Sequence, residues 1–282
     1  MNHSQFVHRA GAPAQQSIDN FGPLSDLPGR WFGSGFNMIA VPNHEGGSVF
    51  RLIVNATSES TIFTPITGAV PDRGSVQNDI QIFGLTYLQA VNDAETHEGI
   101  HVEAGMWLNV PATTSPTNSA TVVRQSTIPH GDSLLAQGQA SIEAGPPTID
   151  PANTMPTALP GQPDLPPGYT DPYLGGAFPP GFTMPNPNQA LVDEVAKLKH
   201  SGLRIVSTTT LAVDTATSGG IVNTPFVQAN ANATRMTATF WIETVQRPDG
   251  SHFLQLQYTQ TVLLDFAGVI WPHVSVATLI KT

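Results

Sequence analysis

A strict alternation of two kinds of side chain in the segment Gly99–Val110 limits the possible folds more than any other feature of the chain. Successive side chains of a β-strand point to opposite faces, so His101, Glu103 and Trp107 share one face. The other face is wholly apolar and carries Ile100, Val102, Ala104, Met106, Leu108 and Val110. This pairing of a mixed face with an apolar face is typical of a β-barrel strand. Either face could line the interior, so the direction of the His101 face stays open.

Similar alternation recurs along most of the chain and predicts strands rather than helices. The predicted strand segments are 30–41, 49–54, 60–63, 80–89, 100–110, 121–128, 133–142, 203–213, 221–229, 234–245, 252–264 and 269–280. Turn residues separate them, such as Gly46-Gly47 and Arg247-Pro248-Asp249-Gly250. Pro129-His130-Gly131-Asp132 is likewise interpreted as a surface turn. The pattern predicts an all-β, up-and-down antiparallel barrel.

A proline-rich stretch interrupts this pattern. Thirteen of the 25 prolines lie between residues 145 and 188, and a segment of that kind cannot pair inside a sheet. Its many apolar residues favour an ordered lid or wrap on the barrel over a solvated linker. The one predicted helix follows at 188–202, with Gly202 where a helix should stop. We therefore expect an N-terminal arm at 1–28 and one barrel domain at 29–282, interrupted by an insertion and helix at 145–202.

Composition excludes several classes of partner. Charged residues are only 11% of the chain, and the formal net charge is −10 with no Lys/Arg cluster, which disfavours nucleic acid. No cysteine is present, so disulfides and thiolate chemistry are excluded. No apolar run approaches the ~18 residues of a membrane-spanning helix, and Met1–Arg9 lacks an apolar signal region. A cytoplasmic, soluble protein is the simplest expectation.

Three short motifs in a fixed order carry a family resemblance. They are Gly29-Arg30-Trp31-Phe32-Gly33-Ser34-Gly35, then Ile100-His101-Val102-Glu103-Ala104-Gly105, and finally Pro272-His273-Val274-Ser275. In this order, the chain resembles the nitrobindin-like heme-binding barrels, relatives of the fatty-acid-binding proteins in the calycin group. The resemblance spans roughly 29–144 and 203–282.

The resemblance implies a barrel of about ten antiparallel strands around a cavity. It also implies that His273 is the proximal ligand of a heme iron, a metal for which neutral imidazole is suited. The chain departs from the family at Trp271-Pro272, where a second histidine is usual, and in its greater length.

Candidate site residues follow from the faces that these strands present. His101 and Glu103 are the candidate acid/base pair, because positions i and i+2 project from the same side of a strand. Arg124 and Arg235 are the cations expected near a ligand carboxylate or heme propionate. Trp31, Trp107 and Gln257 would contact a ligand if their faces line the interior.

Three functions remain as alternatives at this stage. The leading one is a barrel that binds an apolar or amphipathic small molecule, with heme as one such ligand. The second is a cofactor-independent isomerase, cyclase or lyase that uses His101 and Glu103. The third is a structural protein whose Thr/Gln-rich strands assemble with copies of itself into a homo-oligomer.

Overall fold

Ten long strands form the body of the protein in a computed structural model, which describes residues 19–217 and 219–282. Residues 1–18 of the expected N-terminal arm lie outside the described residues. The strands are β1 Gly29–Pro42, β2 Phe50–Pro65, β3 Ile80–Asp93, β4 Gly99–Val110, β5 Thr121–Ile128, β6 Asp132–Ala144, β7 Arg204–Asp214, β8 Asn232–Gln246, β9 His252–Phe266 and β10 Val269–Lys281. Each pairs antiparallel with the next, and β10 pairs with β1 to close the barrel. The predicted fold class is confirmed.

Shorter elements decorate this barrel. Strands Val70–Asp72, Gly220–Asn223 and Thr157–Ala158 pair with β3, β6 and β10 respectively, and Thr113–Thr114 pairs with Thr117–Asn118. Three short α-helices have both ends within the described residues: α1 Asp171–Gly175, α2 Gln189–His200 and α3 Pro225–Asn230. In the described part of the chain, no helix is long and apolar enough to cross a bilayer.

Two strand predictions differ from the structure. The segments 49–54 and 60–63 belong to one strand, β2, because the polar residues between them continue the pairing with β1. The predicted strand 221–229 ends at Asn223, and α3 begins at Pro225. Proline cannot donate to a strand ladder, but its fixed φ suits the first turn of a helix.

The mixed face of β4 points into the barrel. Glu103 and Trp107 have no exposed surface, whereas Val102 on the opposite face is 44% exposed. Inside the barrel, Trp107 packs against Phe240 of β8 with 5.2 Å between ring centroids. The His101 face, whose direction the sequence did not decide, therefore points to the interior, and the apolar face lies outside.

The two ends of the barrel differ in their contents. At one end, a 3₁₀ turn at Gly22–Leu24 buries Phe21, Leu24 and Leu27 completely, and the indole Nε1 of Trp31 donates to the Leu27 carbonyl at 2.8 Å. We call this the plugged end. The opposite end carries the starts of β4 and β6, with His101 and Asp132, and the turn that holds His130. We call it the histidine end.

The proline-rich residues 145–202, called the strap below, lie on the outside of the barrel. The Phe182 ring meets Phe36 of β1 at 5.5 Å, and Tyr169 stacks on Trp271 of β10 at 5.7 Å. In α2, the Leu191 carbonyl accepts a hydrogen bond from Gln257 Nε2 of β9 at 3.0 Å. The strap and strands β1, β2, β8, β9 and β10 thereby form a second apolar core, separate from the one inside the barrel.

Candidate functional site

A buried ion pair anchors the polar interior. Arg124 Nη2 on β5 lies 2.7 Å from Glu103 Oε1 on the adjacent strand β4, and both side chains are fully buried. Arg124 Nε donates to the Tyr87 hydroxyl at 2.9 Å, and that hydroxyl donates to Glu103. Arg124 Nη1 donates to Gln260 Oε1 at 2.6 Å. All three donor nitrogens of the Arg124 guanidinium therefore have partners within the barrel.

This network keeps Glu103 ionised. Burial raises the pKa of the Glu103 carboxyl, but the Arg124 charge and hydrogen bonds from His101 and Tyr87 outweigh burial and hold that pKa below its usual range. Burial also raises the pKa of Tyr87, so its hydroxyl stays protonated. Glu103 is therefore an acceptor that orients its neighbours, and it is not a proton donor at neutral pH.

His101 links this network to the histidine end. Its Nε2 lies 3.4 Å from Glu103 Oε2, and its side chain is 17% exposed. Because the ionised carboxylate only accepts, Nε2 carries the proton in the neutral imidazole, and Nδ1 is left as an acceptor. The structure thus brings the predicted acid/base pair into contact, with Glu103 behind and His101 toward solvent.

Two residues of the surface turn complete this cluster. The His130 ring lies 5.8 Å from the His101 ring between centroids. Asp132 opens β6, and its Oδ1 atom is buried without a hydrogen-bond partner among the described residues. Burial raises the pKa of Asp132, while His130 and His101 act to lower it. The turn that was interpreted from the sequence as surface structure therefore contributes to the polar cluster around His101.

His273 points to the same region but is differently engaged. Its Nε2 lies 2.7 Å from Asn37 Oδ1 on β1, which also accepts from Ser275 Oγ at 3.0 Å. Burial, followed by the positive charges that His101 and His130 carry when protonated, lowers the pKa of His273 to about 3. The imidazole is neutral, and Nε2 donates its proton because an amide oxygen can only accept.

The residues that the resemblance assigns to heme are already bonded to other side chains. Iron needs the lone pair of a ring nitrogen, and because His273 Nε2 holds a proton for Asn37, only Nδ1 keeps one. The two expected propionate partners are both paired with carboxylates, Arg124 with Glu103 and Arg235 with Asp214. In the described part of the chain, no group of three or more His, Asp or Glu side chains is arranged to hold a metal ion. Heme ligation by His273 stays a prediction.

The remaining predicted ligand contacts are dispersed. Trp31 and Trp107 are buried in the apolar core of the barrel. Arg235 lies at the surface with its side chain 50% exposed. Gln257 faces outward beneath α2, where its Nε2 also donates to Thr278 Oγ1 at 2.9 Å. Of the predicted ligand residues, Arg124 bonds directly to Glu103, and Trp107 lies beside Arg124, with 5.8 Å from the guanidinium carbon to the ring centroid.

A second cluster of buried polar side chains was not predicted from the sequence. The Tyr258 hydroxyl donates to Glu59 Oε2 at 2.7 Å, Thr57 Oγ1 donates to Glu59 Oε1 at 2.8 Å, and Gln89 Nε2 donates to Tyr258 at 3.0 Å. Burial raises the pKa of Glu59. The available signal was the run Asn55-Ala-Thr-Ser-Glu-Ser-Thr61, in which neither face of β2 is apolar.

Comparison with known proteins adds little to this geometry. No protein-family model matches the chain, and no curated protein matches it. Among solved structures, the chain is similar to the crystal structure of Rv2717c from M. tuberculosis, with 15% sequence identity and a TM-score of 0.45. That match covers 97% of this chain and 99% of the other.

Proposed function

We propose that the barrel binds a small amphipathic molecule at its histidine end, through a hydroxyl or amino group on the ligand. The observation that carries this proposal is Asp132 Oδ1, a buried carboxylate oxygen with no hydrogen-bond partner among the described residues. A buried acceptor left unpaired costs about 1–3 kcal/mol, and more when it is charged. A donor on a bound ligand would remove that cost.

The groups around Asp132 favour a ligand that donates hydrogen bonds over a ligand that carries a carboxylate. In the neutral ring of His101, Nδ1 is an acceptor because Nε2 donates to Glu103. Asp132 Oδ1 is also an acceptor, and the Arg124 charge is already paired with Glu103. A ligand carboxylate would meet the like charge of Asp132, whereas a hydroxyl or an ammonium can donate to both acceptors.

An exposed apolar side chain at the histidine end favours a ligand that also has an apolar part. Helix α3 is attached to the His130 turn, since Thr224 N donates to the Gly131 carbonyl at 2.8 Å. Beside this attachment, Phe226 is 77% exposed. An exposed apolar side chain near a polar site is a frequent feature of ligand sites. An alkyl chain or ring could cover Phe226 while its polar head reaches Asp132.

The free-energy cost of burying the Glu103–Arg124 ion pair favours a functional role for the site. Replacing buried ion pairs with apolar residues is often neutral or stabilising, so Glu103 and Arg124 are weak contributors to stability as a pair. Perturbed pKa values cluster at functional sites. In this barrel the pair holds the imidazole of His101 in one tautomer at the mouth.

Matched ten-carbon probes test the proposal. We expect decan-1-ol and decylamine to displace Nile red from the protein, and decanoate to do so at least about tenfold more weakly. Asp132→Asn should weaken binding of decan-1-ol by about tenfold or more, because a hydrogen bond to a charged group contributes about 1.5–3 kcal/mol. Displacement is followed by fluorescence titration at pH 7.5.

Asp249→Asn serves as the control, because Asp249 lies in the turn at the plugged end, where its side chain accepts hydrogen bonds from Ser251. It should bind decan-1-ol like the unmodified protein. Equal binding by the Asp132 and Asp249 variants, or a preference for decanoate, would contradict the proposal.

A further inference from the structure

One edge of β6 continues beyond its neighbour. The pairing of β5 with β6 ends at Val122 and Gly138, while β6 runs on to Ala144 and stays paired with β7 up to Ser207. Residues 139–144 are all exposed. Within the described ranges, no main-chain hydrogen bond joins these six residues to any segment other than β7. They form a free strand edge at the plugged end, called the β6 edge below.

Such an edge offers a regular row of donors and acceptors. In an antiparallel sheet, alternate residues direct N–H and C=O to opposite neighbours, so roughly three of these six residues point away from β7. Natural edges are usually protected by charges, prolines, bulges or a covering segment. The β6 edge carries a single charged residue, Glu143, and its Ile142 is 67% exposed.

A groove runs beside the same edge. It has a volume of about 350 Å³ and is lined by Gly22, Pro23, Asn109 and residues 120–122 and 139–142. None of these side chains is charged. The groove and the free edge are two separate observations that mark one surface.

We propose that the β6 edge and this groove bind an extended, uncharged polypeptide segment of a partner protein, which adds to the sheet as a strand. Only another main chain presents donors and acceptors at the spacing of the exposed row. The uncharged lining complements small or apolar side chains at alternate positions, one of which would cover Ile142. This surface lies at the opposite end of the barrel from His101, so it is independent of the proposed ligand site.

A short synthetic strand tests this binding mode. The probe is a fluorescein-labelled hexapeptide Thr-Val-Thr-Val-Thr-Val with blocked ends, titrated with the full chain by fluorescence anisotropy. We expect saturable binding and slowed amide exchange at alternate residues of 139–144 by NMR. Two further peptides are N-methylated on one or the other alternating set of residues. One of them should bind at least tenfold more weakly, because it lacks the donors that face β6.

Two protein variants locate the peptide. Ile142→Lys should weaken binding about tenfold, which corresponds to about 1.4 kcal/mol. Val222→Lys is the control, since Val222 is 73% exposed and pairs with Ser133 on the outer face at the histidine end. No saturable binding, equal binding of both N-methylated peptides, or equal loss in both variants would overturn the proposal. A dimer by light scattering that Ile142→Lys dissociates would also overturn it, since a second copy would then be the occupant.

Discussion

At the scale of single residues, burial decides what an ion pair contributes. Two arginine–carboxylate pairs in this chain differ mainly in exposure. Arg124 and Glu103 are almost completely buried, whereas the side chains of Arg235 and Asp214 are 50% and 24% exposed. Solvent screens the second pair, but a charge left alone in the first environment has no water to compensate it.

Arg124→Met should therefore destabilise the protein strongly. We expect the free energy of unfolding to fall by about 3–5 kcal/mol, because Glu103 would stay buried without its counter-charge. The matched change Arg235→Met should cost less than about 1 kcal/mol. Urea unfolding of both variants at pH 7 measures the difference, and similar losses would show that burial of the pair has no energetic weight here.

At the scale of elements, the strap covers an acid on the outer side of the sheet. Glu243 of β8 is fully buried although it faces away from the interior, and its cross-strand neighbour Thr208 donates to the Gly145 carbonyl where the strap begins. Gln255 Nε2 donates to Glu243 Oε2 at 2.6 Å, and Oε1 has no partner among the described residues. Burial raises the pKa of Glu243 to about 8, so the carboxyl is mostly protonated at pH 7.

The stability of the protein should therefore depend on pH through Glu243. Between pH about 4.5 and about 8 the folded protein binds a proton at Glu243 that the unfolded chain has released. The free energy of unfolding from this group consequently falls as pH rises through that window. Glu243→Gln removes the dependence, so the variant should gain stability relative to the unmodified protein between pH 5 and pH 8, measured by urea unfolding.

Glu143→Gln is the control for that series. Glu143 on β6 is the cross-strand neighbour of Thr208 on the side opposite to Glu243, but its side chain is exposed. Only Glu243→Gln is expected to gain stability over the unmodified protein as the pH rises from 5 to 8. If the two variants showed the same pH dependence, burial beneath the strap would not be the cause.

At the scale of the whole molecule, the barrel depends on one close seam. Strand β1 meets the last strand, β10, through eight residue pairs from Trp31 with Lys281 to Met38 with Val274. Two glycines of the opening motif lie in this seam. A Cβ atom on Gly35 would sit 1.9 Å from the Val276 carbonyl oxygen, and one on Gly33 would sit 2.0 Å from that of Thr278.

Gly35→Ala should therefore strain or open the seam. We expect a loss of about 1–3 kcal/mol or more, as for other overpacked sites, together with faster amide exchange along β1 and β10. Gly175→Ala is the control, because a Cβ there meets nothing within 4 Å and alanine favours helix α1. Equal stability of the two variants, with unchanged exchange across the seam, would contradict this explanation of the glycines.

The sequence by itself determined the local character of most segments. Alternation identified the barrel strands, because side-chain direction in a strand repeats every two residues whatever the strand packs against. The helix at Gln189–His200 ends where expected, since Gly202 adopts a left-handed φ of 74° that other residues disfavour. The prolines of the strap marked where the strand pattern stops.

Only the tertiary structure decided which face was inside and which residues meet. A period of two separates the faces of β4 but does not assign either one to the interior, since barrels bury mixed and apolar faces alike. Asp132 and His101 come together because β4, β5 and β6 are neighbours in the sheet. Tyr258 and Glu59 bond across 199 residues of chain because the barrel closes on itself. Contacts between distant segments depend on register and closure, which no single segment encodes.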